Sequence, residues 1–109
     1  MGGKKAYLVK VYEWDCLNGD VLSSEHYIVY AEDEDELREK CDKLLESYIS
    51  EVSDGWERVT ETDHSVIFAK AEGDEEYEHE LGYEVVAEIE SEEELEKVRS
   101  FWTIVDEIE

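Results

Sequence analysis

Residues 77–90 alternate between apolar and acidic side chains, and this pattern constrains the fold more than any other in the sequence. One side of an extended chain here carries Tyr77, His79, Leu81, Tyr83, Val85, Ala87 and Ile89. The other side carries Glu78, Glu80, Glu84, Glu88 and Glu90. Because successive strand residues point to opposite faces, the pattern predicts a strand with one buried face and one solvated, acidic face.

Four other strands are predicted from residue type. Residues 5–16 and 21–31 are rich in aromatic and β-branched side chains, and Asn18-Gly19 between them is a strong hairpin signal. Two short strands are predicted at 56–62 and 64–71, with chain breaks at 53–55 and 73–74. The first strand is apolar on both faces, so it is either central in the sheet or part of an interface.

Two helices are predicted, and each begins on acidic residues after a strand. Asp33 with Glu36 opens the first helix, which continues to about Ser50, and Ser91 with Glu94 opens the second, which continues to about Glu107. At helical periodicity the inward-facing residues are Leu37, Cys41, Leu44, Leu45 and Tyr48, then Leu95, Val98, Trp102 and Val105.

These elements predict a single α+β domain over residues 1–109, in the order β-β-α-β-β-β-α. The expected architecture is an antiparallel sheet of about five strands with both helices packed on one face. Residues 30–37 resemble residues 88–95 at a constant offset of 58. This similarity indicates either a pseudo-repeat of 5–50 and 56–107 or the same capping chemistry used twice.

Charge excludes several functions. The chain has 33 Asp and Glu against 10 Lys and Arg, a formal net charge of −23. Direct nucleic-acid binding requires the opposite sign, and an anionic membrane surface would repel the protein.

A hydrophobic content of 41%, with three tryptophans and seven tyrosines, is too high for a disordered chain. A small domain stays soluble with a net charge of about 2 to 8, so the excess calls for another explanation.

The sequence favours the cytoplasm, which would be the host cytoplasm for a viral protein. No apolar stretch of the signal-peptide type follows the N-terminal lysines, so we expect no secretion signal. Cys16 and Cys41 form no Cys-x-x-Cys pair, and two reduced thiols are expected. Cys41 lies on the apolar face of the first helix and is predicted to be buried.

The catalytic and metal-binding patterns are weak. Asp63-His64-Ser65 is triad-like in composition, but consecutive strand residues would not converge. No metal-ligand spacing occurs, and His79 is expected to be a core or edge histidine with its hydrogen bonds satisfied, not a ligand. We therefore expect no enzyme activity, no catalytic residue, no metal ion and no cofactor.

The charge itself suggests a function. The 23 unbalanced charges correspond to about 39 Å of duplex DNA, and a domain of this size is expected to be about 30–35 Å across. In size and charge the chain resembles small acidic inhibitors of restriction, CRISPR or repair enzymes, which are often virus-encoded and mimic DNA. This resemblance implies an acidic protein, without enzyme activity, that occupies the basic nucleic-acid-binding surface of a partner protein.

The candidate partner-binding residues are acids of the alternating strand and of the two helix starts. They are Glu78, Glu80, Glu84, Glu88, Glu90, Glu92, Glu93, Glu34 and Asp35.

Two alternatives remain open. The first is a generic acidic protein–protein interaction or regulatory module with aromatic anchors on the first strand, and for this chain a homodimer is expected about as often as a monomer. The second is a salt-adapted domain, which ranks lower because 24 of the 33 acids are Glu and lysine outnumbers arginine 7 to 3.

Overall fold

The computed structural model describes residues 4–16, 18–52, 56–70 and 78–109. The strands in this part of the chain are β1 (Lys5–Asp15), β2 (Asp20–Ala31), β3 (Trp56–Glu61), β4 (Ser65–Lys70), β5 (Glu78–Ile89) and β6 (Ile104–Ile108). The helices are α1 (Glu34–Val52) and α2 (Glu92–Phe101). The predicted breaks at 53–55 and 73–74, and the predicted strand residue Tyr77, lie outside the described residues.

The strands form one sheet in the order β3-β4-β5-β1-β2-β6. Neighbouring strands are antiparallel except β2 and β6, which are parallel. The predicted α+β class is confirmed, but the predicted antiparallel sheet of about five strands is corrected to a mixed sheet of six strands in the described part of the chain.

The sixth strand arises because α2 ends at Phe101, earlier than predicted. Trp102 has extended backbone angles of φ −104° and ψ 145°. The next three residues are β-branched, and such side chains fit a strand better than a helix. Val105, predicted to face inward, is 52% exposed on β6. Asp106, which would be unfavourable at a helix C-terminus, lies instead in a strand.

The two helices cover opposite faces of the sheet, not one face as predicted. The face under α1 contributes Tyr7, Val9 and Val11 of β1 to a cluster that also contains Leu37, Cys41, Leu45, Val29, Phe68 and Tyr83. The face under α2 contributes Ala6 and Leu8 of β1 to a cluster with Ile28, Ile89 and Leu95. Because β1 is central and apolar on both faces, one helix could not bury it.

Other local predictions are confirmed. β1 and β2 form the predicted hairpin, and Gly19 in its turn has a positive φ of 73°, a conformation that glycine adopts without strain. Cys41 is buried as a free thiol, as predicted.

The molecule is longer than its residue number suggests. The principal extents are 53 × 26 × 18 Å and the radius of gyration is 15.6 Å. Strands of 11 and 12 residues account for much of the long axis, because each residue extends a strand by about 3.3 Å. A duplex 53 Å long carries about 31 charges, so the net charge of −23 is less dense along this protein than along DNA.

Candidate functional site

Both helices begin with the same hydrogen-bonded cap. Asp33 Oδ1 accepts a hydrogen bond from the Glu36 backbone N–H at 2.8 Å, and Ser91 Oγ accepts one from the Glu94 N–H at 3.2 Å. The carboxylates of Glu36 and Glu94 reach back to the backbone N–H of the residue before each cap, at 3.2 and 3.0 Å. These reciprocal bonds start the helices and leave further acids in their first turns.

The sheet brings the two acidic helix starts to one end of the molecule. Ala31, just before α1, pairs with Lys5 of β1, and Ile89, just before α2, pairs with the next residue, Ala6. Since β2 and β5 are the two neighbours of β1, their last residues lie about 10 Å apart. The helices then continue on opposite faces.

We call this end of the sheet the acidic end. It carries five of the nine predicted contact residues, and all five are exposed: Glu34, Asp35, Glu90, Glu92 and Glu93.

The acidic end keeps an excess of negative charge. Among the five residues, Glu93 pairs with Lys97 at 3.8 Å, whereas the other four form no ion pair within the described residues. Lys4 and Lys40 contact Glu36 at 3.8 and 2.9 Å. The hydrogen bond to Lys40, the largest cause, and the one to the Glu32 backbone lower the pKa of Glu36.

The predicted glutamate row on β5 does not share one face. Leu8 of β1 pairs with Ala87, but Val9 pairs with Val85, so Val86 is an extra residue in β5. Such a bulge reverses the faces of the residues beyond it. The prediction of one continuous acidic face over 78–90 is therefore wrong in its geometry.

The bulge divides the row into two groups. Glu84 lies on the α2 side of the sheet, and its carboxylate is 4.0 Å from the Lys10 ammonium. Glu80 and Glu78 lie on the same side, because each is an even number of residues from Glu84 along the strand. Glu88 lies on the α1 side, paired with Lys5 at 3.2 Å. The hydrogen bond and charge of Glu88 raise the pKa of Lys5. Along β5, Glu78 is about 35 Å from the acidic end.

Asp42 of α1, His64 and Tyr83 of β5 form a polar cluster that the sequence pattern does not predict. His64 lies in the turn between β3 and β4, and its Nδ1 is 3.1 Å from the hydroxyl of Tyr83. Burial and the charge of Asp42 raise the pKa of Tyr83 to about 12, while burial raises the pKa of Asp42. The local sequence gives no signal for this cluster, because its members are brought together from α1, a turn and β5.

A cavity of about 320 Å³ adjoins this cluster. Tyr7, Leu37 and Val85 form its apolar lining, and Arg38 and His64 contribute cationic or polar groups. Among the lysine and arginine side chains that the structure describes, Arg38 alone has no ion pair. The surrounding carboxylates of Glu34 and Glu88 make the cavity mixed in charge.

His79 is buried in the core, as expected of a core histidine, with 7% exposure. Its ring lies 5.5 Å from that of Trp56, and its Nε2 is 3.6 Å from Glu13 Oε2. Nε2 has no hydrogen-bond partner within the described residues, which differs from the expectation of a fully satisfied histidine.

Comparison of the chain with protein-family models, curated proteins and solved structures finds no match. In the described ranges, no group of three or more His, Cys, Asp or Glu side chains is arranged to hold a metal ion. No helix formed by these residues is both long and apolar enough to cross a bilayer.

Proposed function

We propose that the chain is an acidic binding protein without enzyme activity, which occupies a basic nucleic-acid-binding surface on a partner protein in the cytoplasm. A viral inhibitor of a restriction or CRISPR enzyme is the specific form of this proposal. The observation that carries it is the acidic end, where two helix starts 58 residues apart in sequence present exposed carboxylates at the same end of the sheet.

The physical basis is charge complementarity. Carboxylates without ion pairs at the acidic end attract a basic groove, and binding releases the counterions of that groove. The acids of the two β5 groups add charge along the length of the molecule. Individual exposed ion pairs are weak, so affinity depends on many carboxylates acting together.

The test is capture of partner proteins from a source-cell lysate on immobilised protein, with and without excess duplex DNA. A partner that duplex DNA displaces supports competition for a nucleic-acid site. A partner retained in excess DNA contradicts the mimic and favours the alternative of a generic acidic interaction module.

Two variants of equal charge locate the contact. The first removes four of the five acidic-end carboxylates by E34Q, D35N, E92Q and E93Q, and keeps Glu90. The matched control neutralises four exposed acids elsewhere by D20N, E46Q, E57Q and E61Q. Loss of capture in the first variant alone supports the acidic end. Equal loss in both would mean that binding follows net charge and not this surface.

A further inference from the structure

The α2 helix covers only part of its face of the sheet. It has 10 residues and is about 15 Å long, whereas β5, with 12 residues, extends for about 40 Å. Its cluster includes Ala6 and Leu8 of β1, and Trp102 at its end stacks on His26, with ring centroids 4.5 Å apart. Beyond Lys10, no described helix lies over this face.

We call the uncovered part the open face. Its residues come from three adjacent strands: Tyr12 and Trp14 of β1, Glu80 and Glu84 of β5, and Ile67 of β4.

The pairing places aromatic rings beside carboxylates on the open face. Trp14 is directly opposite Glu80, and Ile67 is opposite Glu80 on the other side. Tyr12 is opposite Gly82, whose missing side chain leaves room for the tyrosine ring. Tyr12, Trp14 and Ile67 are all half-buried, so their apolar surfaces remain partly accessible to solvent.

The open face already accommodates a cation. The Lys10 ammonium lies 5.9 Å from the centroid of the Tyr12 ring and 4.0 Å from Glu84 Oε2. A cation over an aromatic ring is attracted by the negative π-face, and an adjacent carboxylate adds to that attraction. Consistent with a negative local potential, burial and the charges of Glu80 and Glu84 raise the pKa of Tyr12.

We propose that the open face binds a basic segment of a partner protein, with a lysine or arginine side chain held between the Tyr12 and Trp14 rings and the carboxylates of Glu80 and Glu84. Charge complementarity selects this occupant. A second copy of the chain would bring another −23 charges against the same carboxylates. The inference rests on the proposed function for the basic nature of the partner, but it names a different contact surface.

The test is an NMR titration of the full ¹⁵N-labelled chain with a capped (Lys-Arg)₄ peptide at physiological salt. We expect saturable shifts of the Trp14 indole N–H and of the Tyr12 and Glu80 amides. Shifts confined to 34–36 and 90–94 would overturn the open-face proposal and leave the proposed function standing. Shifts at the open face alone would support this inference and count against the acidic end. No saturable shift at the open face would overturn it.

Variants separate local contacts from net charge. E80Q with E84Q keeps side-chain size and should weaken peptide binding about fivefold. E39Q with E46Q removes the same charge from the exposed surface of α1 and should change it less than twofold. Y12S with W14S should weaken binding about tenfold through loss of the rings, with folding checked by the remaining amide spectrum. Equal effects of the two charge variants would overturn the proposal.

Discussion

Arg99 of α2 and Glu107 of β6 form an ion pair with an Nη2–Oε1 distance of 2.7 Å. The Tyr30 hydroxyl of β2 donates to the same Glu107 oxygen at 2.6 Å. These hydrogen bonds, with that of Arg99 the larger cause, hold the pKa of Glu107 below its usual value. Three elements are thereby joined at the edge where the parallel strand β6 meets β2.

Replacing Arg99 by Gln is expected to raise the pKa of Glu107 towards its ordinary value and to weaken the pairing of β6 with β2. A carboxyl with a lowered folded-state pKa stabilises the protein above its unfolded pKa, about 4.3, and loses that contribution as pH falls through the folded value. As pH falls below about 4.5, the unfolding free energy of the variant should therefore decrease less than that of the parent protein. NMR titration of Glu107 and hydrogen exchange of the Asp106 and Ile108 amides measure both effects.

The matched control is Lys97→Gln, which removes one positive charge from the same helix and an exposed ion pair with Glu93. Exchange in β6 should be unchanged in this control. Equal acceleration in both variants would mean that net charge, and not the Arg99–Glu107 contact, holds the strand.

Gly82→Ala is expected to destabilise the protein by about 1–3 kcal/mol through overpacking. An added Cβ would lie 2.6 Å from the Tyr12 hydroxyl oxygen and 2.9 Å from Ser65 Cβ. In a Tyr12→Ser background the loss of unfolding free energy should shrink, leaving the part due to Ser65. Urea denaturation of the four proteins measures this, and an equal loss in both backgrounds would contradict the assigned contact.

Tyr83→Phe is expected to reduce the unfolding free energy by about 1 kcal/mol at neutral pH. The change removes the hydroxyl that contacts His64 Nδ1 and stabilises the Asp42 carboxylate, so the pKa of Asp42 should rise further. The Tyr83 hydroxyl stabilises the ionised form of Asp42 more than the protonated form. The loss of unfolding free energy should therefore diminish as pH falls through the folded pKa of Asp42. Urea denaturation at several pH values tests this.

Tyr30→Phe serves as the comparison, since its hydroxyl is exposed and water can replace the lost hydrogen bond. It should have the smaller effect at neutral pH. A pH-independent loss in Tyr83→Phe would contradict the coupling to Asp42.

Salt is expected to stabilise the folded protein. Raising NaCl from about 0.05 to 0.5 M screens the repulsion among unbalanced carboxylates, so the melting temperature should rise by a few degrees. The D20N, E46Q, E57Q and E61Q variant should melt higher at low salt, with a gap that closes as salt is added. Calorimetry measures this. Folding only in molar salt would favour the salt-adapted alternative, and a melting temperature that falls with salt would contradict the dominance of repulsion.

The two thiols should differ in reactivity. Cys41 is fully buried, and burial raises its pKa to about 12, so little thiolate forms. Cys16 is half-buried, and burial raises its pKa as well. A disulfide reagent should label one thiol slowly in the native protein and a second after denaturation. Cys16→Ser should abolish the native labelling, and persistent native labelling of that variant would contradict the burial of Cys41.

Local patterns in the sequence were enough to predict most elements. Asn18-Gly19 predicted the first hairpin, and the capping residues Asp33 and Ser91 predicted where the helices begin, because turns and caps depend on neighbouring residues. The acids of the acidic end, predicted as contact residues, are exposed in the structure. Their role in binding a partner stays a prediction.

The alternation of β5, the helix starts and the overall excess of negative charge follow directly from the order of residues along the chain. The bulge of Val86 against β1, which places Glu88 on the face opposite Glu84, is visible only in the folded chain. The same is true of the position of α2 on the second face and of the pairing of residues 104–108 with β2. Alternation and capping depend on neighbouring residues, whereas strand register and the face that a side chain occupies depend on which distant elements complete the hydrogen bonds and cover the apolar surface.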